Sequence, residues 1–433
     1  MTDSRLAHCH WATDARYRTL PQARIQDMLA LAGWTYEARA GTVDAAHLAA
    51  RALDLLVAQG LPAAEGPEGR CFDPVEVLNF IKWQGLAGQN DFWQDRFVPT
   101  GRRMVEDLAR LSGDEPIAVT VGYRRTFGPG SFPIGRSTRY RLPLPIPHPS
   151  LENLRIEDVV TEGLPWQISS DGCRLEVRGD PGQTDSFSIS QNLRLTLIPT
   201  AHDPAPHENL DCYLAPMEGL IQVTDRVQAL ARDLTSPHDS QSKKVDAFWS
   251  FFLDQLCLGA VHYDQFGANT PATDHVLETG WFDCQVGSAL LVALCRACGI
   301  PARLVGGVLL YPAAPTPHYW CEIWFEGEGW RPFDLACWDL SAGGSDKSWR
   351  THFAGQIDAR LTTERFPLQF TGPSGARIPA AWHVSSAMIA NGARTALCDV
   401  SSGALVYCND VTVALGGDVG ASQISSHSSN SPA

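Results

Sequence analysis

Residues 285–297, Gln-Val-Gly-Ser-Ala-Leu-Leu-Val-Ala-Leu-Cys-Arg-Ala, are apolar on nearly every face of a helix. A helix of this kind has no side to offer water and must run through a core, and Gly299 and Pro301 stand ready to end it. Cys284 comes immediately before it, after Trp281-Phe282-Asp283. A cysteine at the start of a buried helix meets unpaired backbone N–H groups and the positive end of the helix dipole. Both favour thiolate and can stabilise a developing oxyanion. The plainer reading is a buried free cysteine, one of twelve in the chain.

His318 follows the proline-rich run Tyr311-Pro312-Ala313-Ala314-Pro315-Thr316-Pro317 and opens a strand to Phe325. Alternation puts His318, Trp320, Glu322 and Trp324 on one face, and Tyr319, Cys321, Ile323 and Phe325 on the other. Glu326-Gly327-Glu328-Gly329 predicts a turn, with Trp330-Arg331-Pro332-Phe333-Asp334 returning antiparallel. The hairpin brings Asp334 within a few residues of His318. A carboxylate there fixes the imidazole tautomer and stabilises imidazolium; a purely structural His–Asp bond is the alternative. Thiol, base and base-orienting carboxylate form the inventory for nucleophilic catalysis.

Cys284, then fifteen residues on Gly299-Ile300-Pro301-Ala302-Arg303, then His318-x-Trp320-x-Glu322, Gly329-Trp330 and Pro332-Phe333-Asp334, resemble the core of the transglutaminase-like superfamily over roughly residues 242–340. Residues 116–200 resemble, more faintly, the β-sandwich that precedes this core in bacterial members. The resemblance implies an α+β fold: a papain-like core with the nucleophile's helix packed on an antiparallel sheet, preceded by a β-sandwich and an N-terminal helical region. It also implies Cys284 as nucleophile, His318 as general base and acid, and Asp334 as the orienting residue. Trp320 and Glu322 are matched positions that packing and strand pairing explain. Phe282 stands where the family usually has glycine, and Asp283 lies directly beside the cysteine. An inward Asp283 would oppose thiolate formation; the expectation is that it faces solvent or caps the helix. For the oxyanion, the Cys284 backbone N–H is the expected first donor, and Tyr263, Gln265 and Trp281 are candidates for the second.

A chain of 433 residues is too long for one ordinary core. The expected division is a helical region at 1–113, a β-sandwich-like domain at 114–200 and a linker at 201–217. A transglutaminase-like domain at 218–415, ending in a short strand pair (394–399 and 404–408), and a Gly/Ser-rich disordered tail at 416–433 complete it. Thr42 before 43–57 and Asp73-Pro74 mark helix starts in the first region, with one or two more helices expected over 91–111. Short alternating strands divided by Gly and Pro mark the second. Two helices, 218–234 and 241–259, are expected to open the catalytic region. The first 113 residues are expected to shape substrate access.

The formal charge of −14, with basic residues only in short pairs such as Arg102-Arg103, argues against a nucleic-acid or anionic-membrane partner. The longest apolar run, 289–294, is far short of a membrane span. The N-terminal residues carry no secretory apolar region and the cysteines form no framework, so a cytoplasmic location is expected. Cys295-x-x-Cys298 falls inside the predicted helix and reads as core rather than a redox or zinc pair. No calcium-loop motif is present, so no cofactor and no metal are expected.

The function expected is cysteine-dependent acyl transfer from an amide or thioester through an acyl-enzyme. The donor would be a small molecule, peptide or protein, and the acceptor an amine or water. A catalytically inactive transglutaminase-like scaffold or binding module is the competing expectation.

Overall fold

A computed structural model describes residues 4–9, 19–31, 45–86, 106–108, 111, 115–198, 209–267, 269–312, 315–337, 349–355, 359–365, 379, 382–389, 392–399 and 402–416. The N-terminal block runs β1 (Leu20–Pro21), α1 (Gln22–Leu31), α2 (Ala45–Ala58), β2 (Ala64–Gly66), β3 (Gly69–Phe72) and α3 (Pro74–Leu86). It is not purely helical, because β1, β3 and β2 pair into a small sheet. The Asp73 carboxylate accepts the N–H groups of Val75 and Glu76, and Pro74, which lacks an N–H, fills the first position of α3. Leu29, Leu53, Phe72 and Ile81 close a core of their own. The helices expected over 91–111 lie mostly outside the described residues.

The next block supplies β4 (Ile117–Phe127), β5 (Thr138–Pro143), β6 (Leu151–Val160), β7 (Trp166–Ile168), β8 (Arg174–Gly179) and β9 (Phe187–Leu197). Phe187, Ile189, Leu193, Leu195 and Leu197 are buried, the period-two pattern of a strand with one face on a core.

The third block begins with the hairpin β10 (Met217–Glu218) and β11 (Ile221–Gln222), followed by α4 (Asp225–Leu234) and α5 (Gln241–Gln255). The helix expected from Glu218 therefore starts seven residues later: Gly219 takes a φ of 59° in the hairpin turn, and the Thr224 hydroxyl caps α4 by accepting the Val227 N–H. The helix expected to reach Gly259 ends at Gln255. After β12 (Cys257–Leu258), α6 (Ala272–Thr279) and β13 (Trp281–Phe282) comes α7 (Cys284–Ala297). Leu290 through Leu294 in α7 are fully buried. The helix packs on β14 (Ala302–Leu309) and β15 (Pro317–Phe325), which form the sheet β16-β15-β14-β17 with β16 (Gly329–Phe333) and β17 (Arg360–Arg365). Phe282 lays its ring on Gly287, where a Cβ would lie 2.3 Å from it. The glycine at 287 makes room for the aromatic at 282.

The last strands, β18 (Trp382–Ile389), β19 (Gly392–Asp399) and β20 (Leu405–Leu415), correct the expected domain division. They do not close the region expected to be catalytic. β20 pairs antiparallel with β4, Val411 opposite Tyr123, giving a six-stranded sheet in the order β18-β19-β20-β4-β9-β6. The physical reason is that β4 has a second hydrogen-bonding edge to fill, and β20 fills it while burying Val411 and Val413. The sheet β5-β8-β7 completes the sandwich. One continuous apolar cluster runs from the sandwich through α7 to the sheet β16-β15-β14-β17. Part of the expected linker is ordered, with Leu210–Leu214 forming a 3-10 turn and Tyr213 buried; residues 199–208 and the tail beyond 416 lie outside the described residues. Among the described residues, no helix is long and apolar enough to cross a membrane.

Candidate active site

The start of α7 is fixed by Asp283. Its Oδ1 accepts the N–H groups of Gln285 at 3.0 Å and Val286 at 2.8 Å, and its carbonyl takes Gly287 N–H at 2.9 Å. Of the two orientations expected for Asp283, capping is the one adopted. The first-turn N–H groups of a helix have no partners within it. With the next two held by Asp283, the N–H of Cys284 itself is the group left to face an incoming carbonyl.

Tyr263 locks this cap. Its hydroxyl lies 2.7 Å from Asp283 Oδ2 and 3.0 Å from Gln285 Oε1. One proton cannot serve both, and the shorter, charge-assisted bond to the carboxylate takes it. Burial pushes the Asp283 carboxyl above its usual range, against the bonds from Val286, Tyr263 and Gln285 and the charge of His318.

The hairpin carries the other two groups. Cys321 sits opposite Phe333, so Asp334 continues along β16 towards His318. His318 Nε2 donates to the Asp334 carboxylate, 2.9 Å from Oδ2 and 3.0 Å from Oδ1. The Cys284 thiol lies near enough to His318 to help raise it, and with Nε2 on Asp334 the nitrogen left to serve the thiol is Nδ1. Burial works against a charged imidazole here, but the Asp334 charge, Cys337, the bond from Asp334 and the nearby Cys284 thiol outweigh it and raise His318 well above its ordinary value. Asp334 is fully buried. Burial would push its carboxyl up, yet the charges of His318 and Arg360 and the bonds from His318 and Cys337 hold it well below the carboxylate range.

Two partners of Asp334 escaped the sequence reading. The Cys337 N–H reaches Oδ1 at 2.9 Å, and Arg360 pairs with Oδ2 at 3.0 Å. Asp334 is thus the cap of the turn at 335–337, and the spacing Asp-x-x-Cys carried that signal in outline. Arg360 comes from β17 and carried none. Ligand-type atoms of His318, Asp334 and Cys337 lie within 4.8 Å of one another. The Arg360 guanidinium already occupies Asp334, and its charge opposes a cation there.

The remaining matched positions form a bracket behind the site. Glu322 Oε2 receives Arg303 Nε and Nη2, both at 2.7 Å, and the Arg303 guanidinium lies 3.9 Å from the Trp330 ring centre. This ties β14, β15 and β16 together four residues along β15 from His318. Trp320 stacks near His318 at 6.3 Å between ring centres.

Of the three candidates for a second oxyanion donor, the fold brings only Tyr263 to the cysteine, and its proton is committed to Asp283. Gln265 donates to its neighbour Asp264 at 3.2 Å. Trp281 is buried against Cys257 and packs on Gly259, where a Cβ would lie 2.5 Å from its ring. Period-two and helical patterns do not say which way a loop residue or a two-residue strand faces.

Asp283→Asn separates the cap from the charge, because asparagine caps nearly as well. The variant is expected to melt within about 1 kcal/mol of the parent, while Cys284 alkylates faster near neutral pH because a negative neighbour that opposes thiolate has gone. The alkylation rate, read beside a melt, checks both.

The fold and site define a class: an α+β core of papain-like kind, with a cysteine at the start of a buried helix and a histidine–aspartate pair on the adjacent sheet. Residues 228–335 match the family model of the transglutaminase-like superfamily, and the chain contains a transglutaminase-like domain there. Over 130 residues it is 30% identical to the uncharacterised protein YebA of Bacillus subtilis, a match spanning 25% of this chain and 17% of that protein. Among solved structures it is similar to a candidate cysteine protease from Cytophaga hutchinsonii, at 16% identity and a TM-score of 0.43 over 70% of this chain and 91% of that one. It is also similar to the periplasmic domain of TgpA from Pseudomonas aeruginosa, at 20% identity and a TM-score of 0.32 over 56% of this chain and 95% of that one. A transglutaminase-like domain supports a cysteine-based enzyme in general terms.

Proposed function

We propose that the protein is a cysteine-dependent acyl-transfer enzyme, with Cys284 as nucleophile, His318 as proton carrier and Asp334 as the group that holds the imidazole. The observation that carries this reading is the buried His318–Asp334 pair, 2.9 Å apart, with the Cys284 thiol at the start of α7 near enough to the same imidazole to act on it. An imidazole raised by its surroundings takes the thiol proton readily, and thiolate is the nucleophilic form.

In the first step Cys284 Sγ bonds to the carbonyl carbon of an amide or thioester. Negative charge collects on the carbonyl oxygen opposite the Cys284 N–H. The bond to the leaving nitrogen or sulfur then breaks, and the proton on His318 goes to the leaving group. The thioester that remains is opened by water or an amine, whose proton His318 accepts, and the thiol is released. Asp334 keeps Nε2 protonated, so Nδ1 is the nitrogen that exchanges protons.

The test uses a panel of peptide amides and acyl thioesters with hydroxylamine as the acceptor. Hydroxamate formation together with an acyl adduct on the Cys284 peptide is the expected result. Turnover unchanged in Cys284→Ala would refute the reading.

A further inference from the structure

Beside His318, at the boundary between the sandwich and the catalytic sheet, lies a cavity of ≈ 100 Å³. The sandwich contributes Arg125, Arg141 and Arg174 to its wall, and the catalytic sheet contributes His318, Tyr319 and Glu364. His318 and Tyr319 line the cavity, and Tyr319 lies within electrostatic reach of both Glu364 and Cys284.

The charges on that wall do not balance. Glu364 is 3.5 Å from Arg174. Arg141 has Glu176 at 3.7 Å, but the same carboxylate is 3.3 Å from Arg139 and 3.4 Å from Arg178. Arg125 makes no ion pair among the described residues; the Glu364 carboxylate within its electrostatic reach is held by Arg174. Its Nε donates to Asn409 Oδ1 at 2.8 Å, Nη1 to the Arg141 carbonyl at 2.6 Å and Nη2 to the Tyr123 hydroxyl at 3.1 Å. The guanidinium lies 5.6 and 5.7 Å from the ring centres of Tyr123 and Tyr407. Three of its five N–H groups are therefore used on described neutral acceptors, and its position is fixed before any ligand arrives. In a chain of net charge −14, composition alone does not produce such a cluster. A guanidinium held by neutral acceptors and free of an ion pair among the described residues, in a partly enclosed cavity, favours a planar anion.

We propose that this cavity receives a carboxylate carried by the acyl substrate, with Arg125 as the guanidinium that takes it. The inference rests on the acyl-transfer reading and names a substrate class for it: donors with an acidic group near the scissile carbonyl, such as an acidic side chain or a free C-terminal carboxylate.

Two thiol probes that differ only in that group make the test: N-iodoacetylglycine, an anion, and N-iodoacetylglycinamide, which is neutral. Each is applied to the full chain, and labelling rates are read per cysteine by peptide mass spectrometry. The quantity compared is the anion-to-amide rate ratio at Cys284 divided by that at exposed Cys212. A value of about ten is expected for the parent, falling towards one in Arg125→Met and partly kept in Arg125→Lys. A parent value near one overturns the inference, as does a value unchanged in a folded Arg125→Met. If that variant does not fold, the parent and the lysine variant decide. Cys284 labelling no faster than Cys212 with either probe would instead overturn the acyl-transfer reading, and the inference with it.

Discussion

Cys284→Ala is expected to lower acyl transfer at least about a thousandfold, because removing the nucleophile removes the covalent route and leaves only binding and the oxyanion donor. Cys284→Ser should fall nearly as far, since a hydroxyl beside the same imidazole forms far less of its anion than a thiol does. Folding should survive both changes. Cys284 is only part-buried, and the start of α7 is held by Asp283 rather than by the thiol. Hydroxamate formation and thermal melts on the same samples check the two halves of the prediction.

The second large effect concerns stability. The Arg303 side chain is fully buried and bridges Glu322, itself only 7% exposed. Burial pushes the Glu322 carboxyl up, but the charges of Arg303 and Arg365 and the Arg303 hydrogen bond turn the balance and hold it below its usual range. Arg303→Met strands that carboxylate in the core and should cost about 3–5 kcal/mol. The sign with pH follows. In the parent the pair's contribution is present above the unfolded carboxylate value and is lost as pH falls through the lowered folded value. In the variant the stranded carboxyl is raised instead, so the deficit is largest near neutrality and shrinks as acid neutralises Glu322. Arg303→Met with Glu322→Gln should recover part of the loss. Denaturant melts across pH measure each of these.

The same linkage describes the His318–Asp334 pair. The stability His318 contributes is full below its ordinary value of 6.5 and fades as pH rises through the raised folded value. The contribution of Asp334 is present above 3.8 and fades only as pH falls through its lowered folded value.

What could be read in the sequence was local. The all-round apolar run fixed α7 as buried, and alternation with a Gly-rich turn placed Asp334 near His318, because a hairpin's register follows from a few adjacent residues. Capping by Asp283 was foreseeable for the same reason. What could not be read was long-range. Nothing in 405–415 says that it pairs with 117–127, so the sandwich's missing edge was assigned to the wrong domain. Arg360 reaches Asp334 only because β17 pairs with β14, and the cavity beside His318 exists only because β4, β5 and β8 meet the catalytic sheet. Trp281 was misplaced because its neighbours Cys9 and Trp83 come from the N-terminal block. That block holds the segment before the active site through Asn79, which bonds the backbone of Ala260 in both directions.

The most direct measurement is the iodoacetamide alkylation rate of every cysteine near neutral pH, in the parent and in His318→Ala. Cys284 should react about a hundredfold faster than the exposed Cys212, and His318→Ala should abolish that advantage. Labelling of Cys284 at the rate of Cys212, unchanged by the substitution, would contradict an activated thiol–imidazole pair.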